Sequence, residues 1–233
     1  MNPMRLLPWL ALSAGIFILA GWIPGLRGLT RVPFLGFLLS SMLAAYLLNR
    51  WQGWSLDRRR TAAQVRDLGQ VETPGNQGKL GTLLLSKGKA SEALDPLRKA
   101  VEGEPARLEW RYRLGCCELE LDRPTQAMEW LEDVVARDEE HGFGAALMRL
   151  AEALGAAGLH AKALERLERF ERNHGANPES AYRRGQALSE LGDRESARQA
   201  LAECAELYEA LPAAHQRPMR VFALKAKALG TLG

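Results

Sequence analysis

The first 56 residues contain no Asp, Glu or Lys; Arg5, Arg27, Arg31 and Arg50 are their only charges. Those four arginines more than account for the formal net charge of +3, and the rest of the chain carries one more acidic than basic residue. A basic face suited to nucleic acid is therefore not expected. Cysteine is scarce: Cys116 and Cys117 are adjacent and Cys204 is alone. An odd number with one adjacent pair does not read as a disulfide framework. These cysteines read instead as small buried apolar residues. The four histidines, His141, His160, His174 and His215, fall in turns, linkers or helix ends and read as surface residues. No phosphate loop, His-Glu-x-x-His zinc signature or nucleophile elbow is present. No catalytic, cofactor or metal site is expected.

Long apolar runs are present at the N-terminus. Residues 6–23 and 33–48 are uncharged. A bilayer-crossing helix needs about 20 largely apolar residues, with about 17 as a lower limit. The first run meets this, and the second does once Val32 and Asn49 are included. Pro24-Gly25 and Gly28 break the two apart, and Trp22, Trp51 and Trp54 lie at their ends. The expectation is a transmembrane hairpin over residues 1–54, with helices at about 6–23 and 32–49. A cleaved signal peptide is the rival reading of the first run, but a second apolar segment comes directly after it. Gly36, Ser40 and Ala44 recur every four residues, a spacing that lets helix backbones approach. They serve packing within the hairpin or docking on another membrane subunit. Arg5 upstream and Arg50, Arg58, Arg59, Arg60 and Arg66 downstream outnumber Arg27 and Arg31 in the loop. That imbalance places both ends of the hairpin, and the repeats beyond it, in the cytoplasm. Residues 55–73 read as a juxtamembrane helix and linker.

Residues 74–233 repeat themselves. Gly81, Gly115, Ala151 and Gly185 mark one position, Ala93, Ala127, Ala163 and Ala197 another. The intervals are 34, 36 and 34 residues in both series. Each unit places two amphipathic helices around a turn at Gly88, Asp122, Gly158 or Gly192. A large apolar residue stands four positions after each marker alanine: Leu97, Leu131, Leu167 and Leu201. One helix pair cannot bury its apolar face alone, so the units must stack. The repeats span about 74–107, 108–141, 144–177 and 178–211, and a terminal helix over 217–233 caps the last. Arg111, Glu118 and Arg184 stand where apolar residues are expected, which predicts rotated or looser helices there. The two extra residues around His141-Gly142-Phe143 predict a bend.

A helix–turn–helix unit of this period, with these small and apolar positions, resembles the tetratricopeptide repeat family. The resemblance covers residues 74–233 and implies an all-α solenoid that binds a protein partner on its concave face of first helices. The positions it assigns there are Glu109, Tyr112, Glu120, Met148, Glu152, Tyr182, Gln186 and Glu190; Cys116 and Glu179 lie beside them. Arg111, Arg149 and Arg183 flank this groove, which reads as somewhat acidic. The tyrosines are partner anchors or partly buried packing residues. The expected function is a non-catalytic, membrane-anchored scaffold or adaptor in assembly or quality control of an envelope complex, at a bacterial-type inner membrane. Its partners are a protein in the groove, the lipid bilayer and possibly another membrane subunit, with no nucleic acid. The alternatives are a self-assembling structural protein and a regulatory subunit of a membrane enzyme.

Overall fold

The computed structural model describes residues 33–230, together with Gly15, Ile18 and Trp22. The chain divides into two units, residues 1–67 and 68–233. From residue 33 onward it forms ten helices, and no strand is found among the described residues.

In the first unit, α1 begins at Pro33 and runs without interruption to Gln70. The expected break after Asn49 is absent. The intervening Asn49-Arg50-Trp51-Gln52-Gly53-Trp54 holds no proline, and a single glycine is tolerated inside a helix. The expected transmembrane hairpin is corrected in its second arm. No helix among the described residues is long and apolar enough to cross a membrane. The uncharged part of α1 ends at Arg50, and Ser40, Ser41 and Tyr46 dilute it. The first arm lies outside the described residues, save Gly15, Ile18 and Trp22, which are helical. Of the small-residue stripe, Ala44 is fully buried, with Ser41 next to it also buried. Gly36 and Ser40 belong to α1, but the surroundings of both lie outside the described set.

In the second unit the helices pair as α2 (Pro74–Ser86) with α3 (Ala90–Gly103), α4 (Leu108–Glu120) with α5 (Pro124–Arg137), α6 (Ala145–Ala156) with α7 (His160–His174), and α8 (Pro178–Glu190) with α9 (Arg194–Ala210). The single helix α10 (Ala213–Gly230) completes the array. Starts are set by local chemistry. The Thr73 hydroxyl accepts from Asn76 N, ahead of Pro74 at the first helical position. Asn177 and Ser180 form a reciprocal capping box before α8. Within each pair the first helix ends at a left-handed residue: Gly88, Asp122, Gly158 or Gly192. The last helix starts earlier than the expected position 217. Its first turn is held by His215 N donating to Pro212 O and Gln216 Nε2 donating to Leu211 O.

The recurring glycines are close-approach sites. A Cβ on Gly81, Gly115 or Gly185 would stand 2.5, 2.7 or 2.8 Å from the Leu97, Leu131 or Leu201 side chain. The carbonyl of the marker alanine closes the same space from behind, at 3.1, 3.4 and 3.3 Å. The glycine and the leucine of each unit are thus one interlock, and both marker series have the same origin.

The three departures from apolar pattern are not loose helices. Glu118 is 1% exposed, and its carboxylate accepts from Arg98 of α3 at 3.1 Å and Arg123 before α5 at 3.4 Å. Arg184 donates to Glu171 of α7 at 2.7 Å and to Glu203 of α9. Arg111 pairs with Asp133 of α5 at 2.8 Å and donates from Nε to Pro105 O. Each charged side chain ties its helix to a neighbour. The indole of Trp110 packs over Gly78, which has no Cβ to obstruct it. Between the second and third pairs, Gly142, Phe143 and Gly144 are left-handed in succession. Cys117 and Cys204 are buried thiols that donate to Ala90 O and Pro178 O.

Candidate functional site

The first helices α2, α4, α6 and α8 line a trough with two hollows. One, about 390 Å³, lies among Thr82, Ser86, Tyr112, Arg113, Cys116 and Glu120. The other, about 560 Å³, lies among Tyr182, Gln186, Glu190, Val221, Phe222 and Lys225. Arg149 and Glu152 border both hollows.

That shared border is a chain of charges. Arg149 Nη1 donates to Glu152 at 2.6 Å, and Arg183 reaches both Glu152 at 2.9 Å and Glu179 at 2.8 Å. Burial alone would raise the Glu152 carboxyl, but Arg183 and Arg149 outweigh it and hold its pKa below the ordinary value of 4.5. Burial likewise disfavours the Arg149 charge, and Glu152 more than restores it. In the smaller hollow, burial pushes the Tyr112 hydroxyl up to about 12, with Cys116 adding to the effect. Burial also raises the Cys116 thiol, so it stays protonated and unreactive at neutral pH.

The sequence-expected positions divide among several places. Tyr112, Glu120 and Glu152 line the smaller hollow; Glu152, Tyr182, Gln186 and Glu190 line the larger. Glu109 sits at the rim, 2.6 Å from Arg113 and 3.4 Å from His141. His141 is not a free surface residue: its side chain is 15% exposed and its ring packs on Tyr112 at 5.3 Å. Met148 does not reach the trough. It is buried with Leu147, Ala151, Leu167 and Phe170. Tyr182 is also mostly buried, against Phe222 of α10 at 5.8 Å, and only its edge lines the larger hollow.

Arg111 faces α5 instead of flanking the trough, and Arg113 takes the flanking place. The signal was available in the sequence. Moving from Arg149 by the intervals of 36 and 34 lands on Arg113 and Arg183, and one more interval of 34 lands on Lys79. A cation thus recurs at one position in all four pairs. The apolar wall of the larger hollow, Val221, Phe222 and Leu229, was missed because α10 has no earlier counterpart in register. No group of His, Cys, Asp and Glu suited to a metal ion occurs among the described residues.

Residues 84–149 and 178–211 each match a family model described as tetratricopeptide repeat. Within those residues, α3 to α5 and the pair α8–α9 are tetratricopeptide repeat segments. No curated protein matches the chain. Among solved structures, the chain is similar to MamA protein, with 22% identity over 66% of this chain and 94% of that one and a TM-score of 0.58. MamA from Desulfovibrio magneticus aligns at 19% identity over 72% of this chain and 97% of that one, TM-score 0.61. YrrB, a TPR protein with an unusual peptide-binding site, aligns at 20% identity over 77% and 88%, TM-score 0.58. At these identities the likeness is one of fold alone: an all-helical solenoid of stacked helix pairs.

Proposed function

We propose that this chain is a non-catalytic adaptor whose trough holds an extended or helical segment of a partner protein. The observation that carries the reading is the continuity of the two hollows through Arg149 and Glu152. One wall is charged and the other, from α10, is mostly apolar, with Lys225 its one charge. A segment lying there contacts fixed ion pairs on one side and Val221, Phe222 and Leu229 on the other. The peptide-binding site of YrrB supports the same use of the fold. Glu109, Glu152 and Glu179 are neutralised by arginines, while Glu120 and Glu190 stay exposed at the margins. The trough therefore suits a mixed-charge segment better than a purely basic one.

Affinity capture of the full chain from gently solubilised cells tests this. A defined protein partner should be recovered, and its recovery should fall about ten-fold for Tyr112→Ala combined with Arg149→Ala. Unchanged recovery by that variant removes the trough from the reading.

The finer reading is that the N-terminal apolar region holds this adaptor at a bilayer, where it serves assembly or quality control of a membrane complex. Its support is the exposed apolar face of α1, with Leu43, Tyr46, Leu47, Trp51 and Trp54 open to solvent, followed by Arg58, Arg59 and Arg60. Tryptophan beside arginine suits the headgroup region, and Arg58 lies 4.6 Å over the Trp54 ring. Attachment of this kind does not need α1 to cross. Membrane fractionation with an alkaline wash decides it: the full chain should remain in the pellet, and release into the supernatant is the adverse result.

A further inference from the structure

The exposed side chains of α1 are sorted along the helix axis. Leu43, Leu47, Trp51, Trp54 and Arg58 follow one another at intervals of four, four, three and four residues, so they share one face. All five are exposed. The stripe is graded, with leucine first, tryptophan next and arginine last. From Leu43 to Trp54 it covers about 16 Å at about 1.5 Å per residue, close to half of the ~30 Å hydrocarbon thickness of a bilayer. A helix too short in apolar residues to cross can still dip through one leaflet at that depth.

Beyond Trp54 come Arg58, Arg59 and Arg60, all exposed. Successive residues on a helix stand about 100° apart, so three in a row form a collar around much of the circumference. A protein docked on one side of α1 would meet one or two of them. A headgroup layer that surrounds the helix meets all three. The guanidinium groups are also seated for that layer. Arg58 lies 4.6 Å over the Trp54 ring, and Arg50 Nη1 donates to the Tyr46 hydroxyl at 3.2 Å. Both sit beside aromatic groups that favour the membrane interface. Arg50 and the collar stand against one acid, Asp57, the only acidic residue before Asp67.

We propose that α1 is a binding site for anionic lipid headgroups, with Trp51 and Trp54 at the edge of the hydrocarbon and the Arg58-Arg59-Arg60 collar among the phosphates. The proposal rests on the bilayer attachment proposed above and adds the class of lipid that the attachment selects. In a zwitterionic leaflet the phosphates are offset by the headgroup's own cation. An anionic leaflet keeps a negative surface potential, which attracts each arginine held close to it.

The test is flotation of the full chain with two kinds of vesicle, one of phosphatidylcholine alone and one of phosphatidylcholine and phosphatidylglycerol in equal parts. The anionic vesicles should retain the chain at least about ten-fold more strongly, and the preference should shrink with added salt. Arg58→Gln, Arg59→Gln and Arg60→Gln together should bring the two kinds to within about two-fold of each other. The collar is exposed, so circular dichroism should show unchanged helix content in that variant. Glycerol phosphate should compete no better than sodium chloride of equal ionic strength, because a charged layer and not a single phosphate is recognised. A preference that survives the glutamine variant, or displacement by glycerol phosphate at fixed ionic strength, overturns the proposal. Equal retention by both kinds of vesicle overturns it too, but leaves bilayer attachment standing. Flotation with neither kind, the outcome if α1 docks on a protein, overturns both.

Discussion

At the scale of single residues, the buried carboxylate of Glu118 sets a clear hierarchy. Its two arginine partners are about half exposed and can rehydrate, whereas Glu118 cannot. Removing both cations, Arg98→Ala with Arg123→Ala, strands a buried charge and should cost about 3 kcal/mol. Glu118→Gln removes the charge, keeps an acceptor, and should cost about 1 kcal/mol. Urea unfolding of the three proteins checks the order; a larger loss for Glu118→Gln contradicts the account. The glycine–leucine interlock gives a second prediction. Gly115→Ala drives a methyl against Leu131 and should destabilise by about 1–3 kcal/mol. Leu131→Val in the same chain should recover part of that, seen as a coupling in a double-mutant cycle.

At the scale of helices, Glu152 connects α6 to α8 through Arg183. Its folded pKa is depressed below 4.5, so its contribution is complete above the unfolded value and is lost as pH falls through the folded one. Thermal unfolding from neutral pH downward should therefore decline below about pH 4.5 less steeply in Glu152→Gln than in the parent chain. Equal slopes would mean that this link contributes nothing. The helix pairs themselves were legible in the sequence because two small-residue series advance by the same intervals, and sterics demand both. Arg111, Glu118 and Arg184 were recognised as departures, but not as ties. Their partners on other helices lie 13 to 22 positions away, where no periodicity points. The burial of Met148 and most of Tyr182 was hidden for a related reason. Spacing places a side chain on a face, but the neighbouring helix decides whether that face stays open. For Tyr182 the neighbour is Phe222 of α10, forty residues on.

At the scale of the whole molecule, contacts in the second unit join each helix mainly to its immediate neighbours. Stability in such an array is a sum of local units and interfaces. Arg184→Ala should accordingly reduce hydrogen-exchange protection in α7–α10 and leave α2–α5 unchanged. A uniform loss along the chain would show instead that the solenoid melts as one cooperative body. The cysteines fit the same division of labour. Cys117 and Cys204 fill interiors, their thiols raised to about 11 by burial, and the chain needs no covalent clamp between its units.

The left-handed run at Gly142, Phe143 and Gly144 also governs how the chain can be cut. Phe143 is 91% exposed, and the turn that carries it projects an aromatic side chain into solvent. A protease that cleaves after aromatic residues should find its first site here. The severed ends would not part. Arg169 grips Glu139 from beyond the turn at 2.6 Å, while Asn173 and His174 hold Glu140 at 3.2 Å. Limited chymotrypsin digestion should yield two fragments on a denaturing gel that migrate as one particle in size-exclusion chromatography. The solenoid would then be a molecule that can lose its continuity at one peptide bond and keep its form.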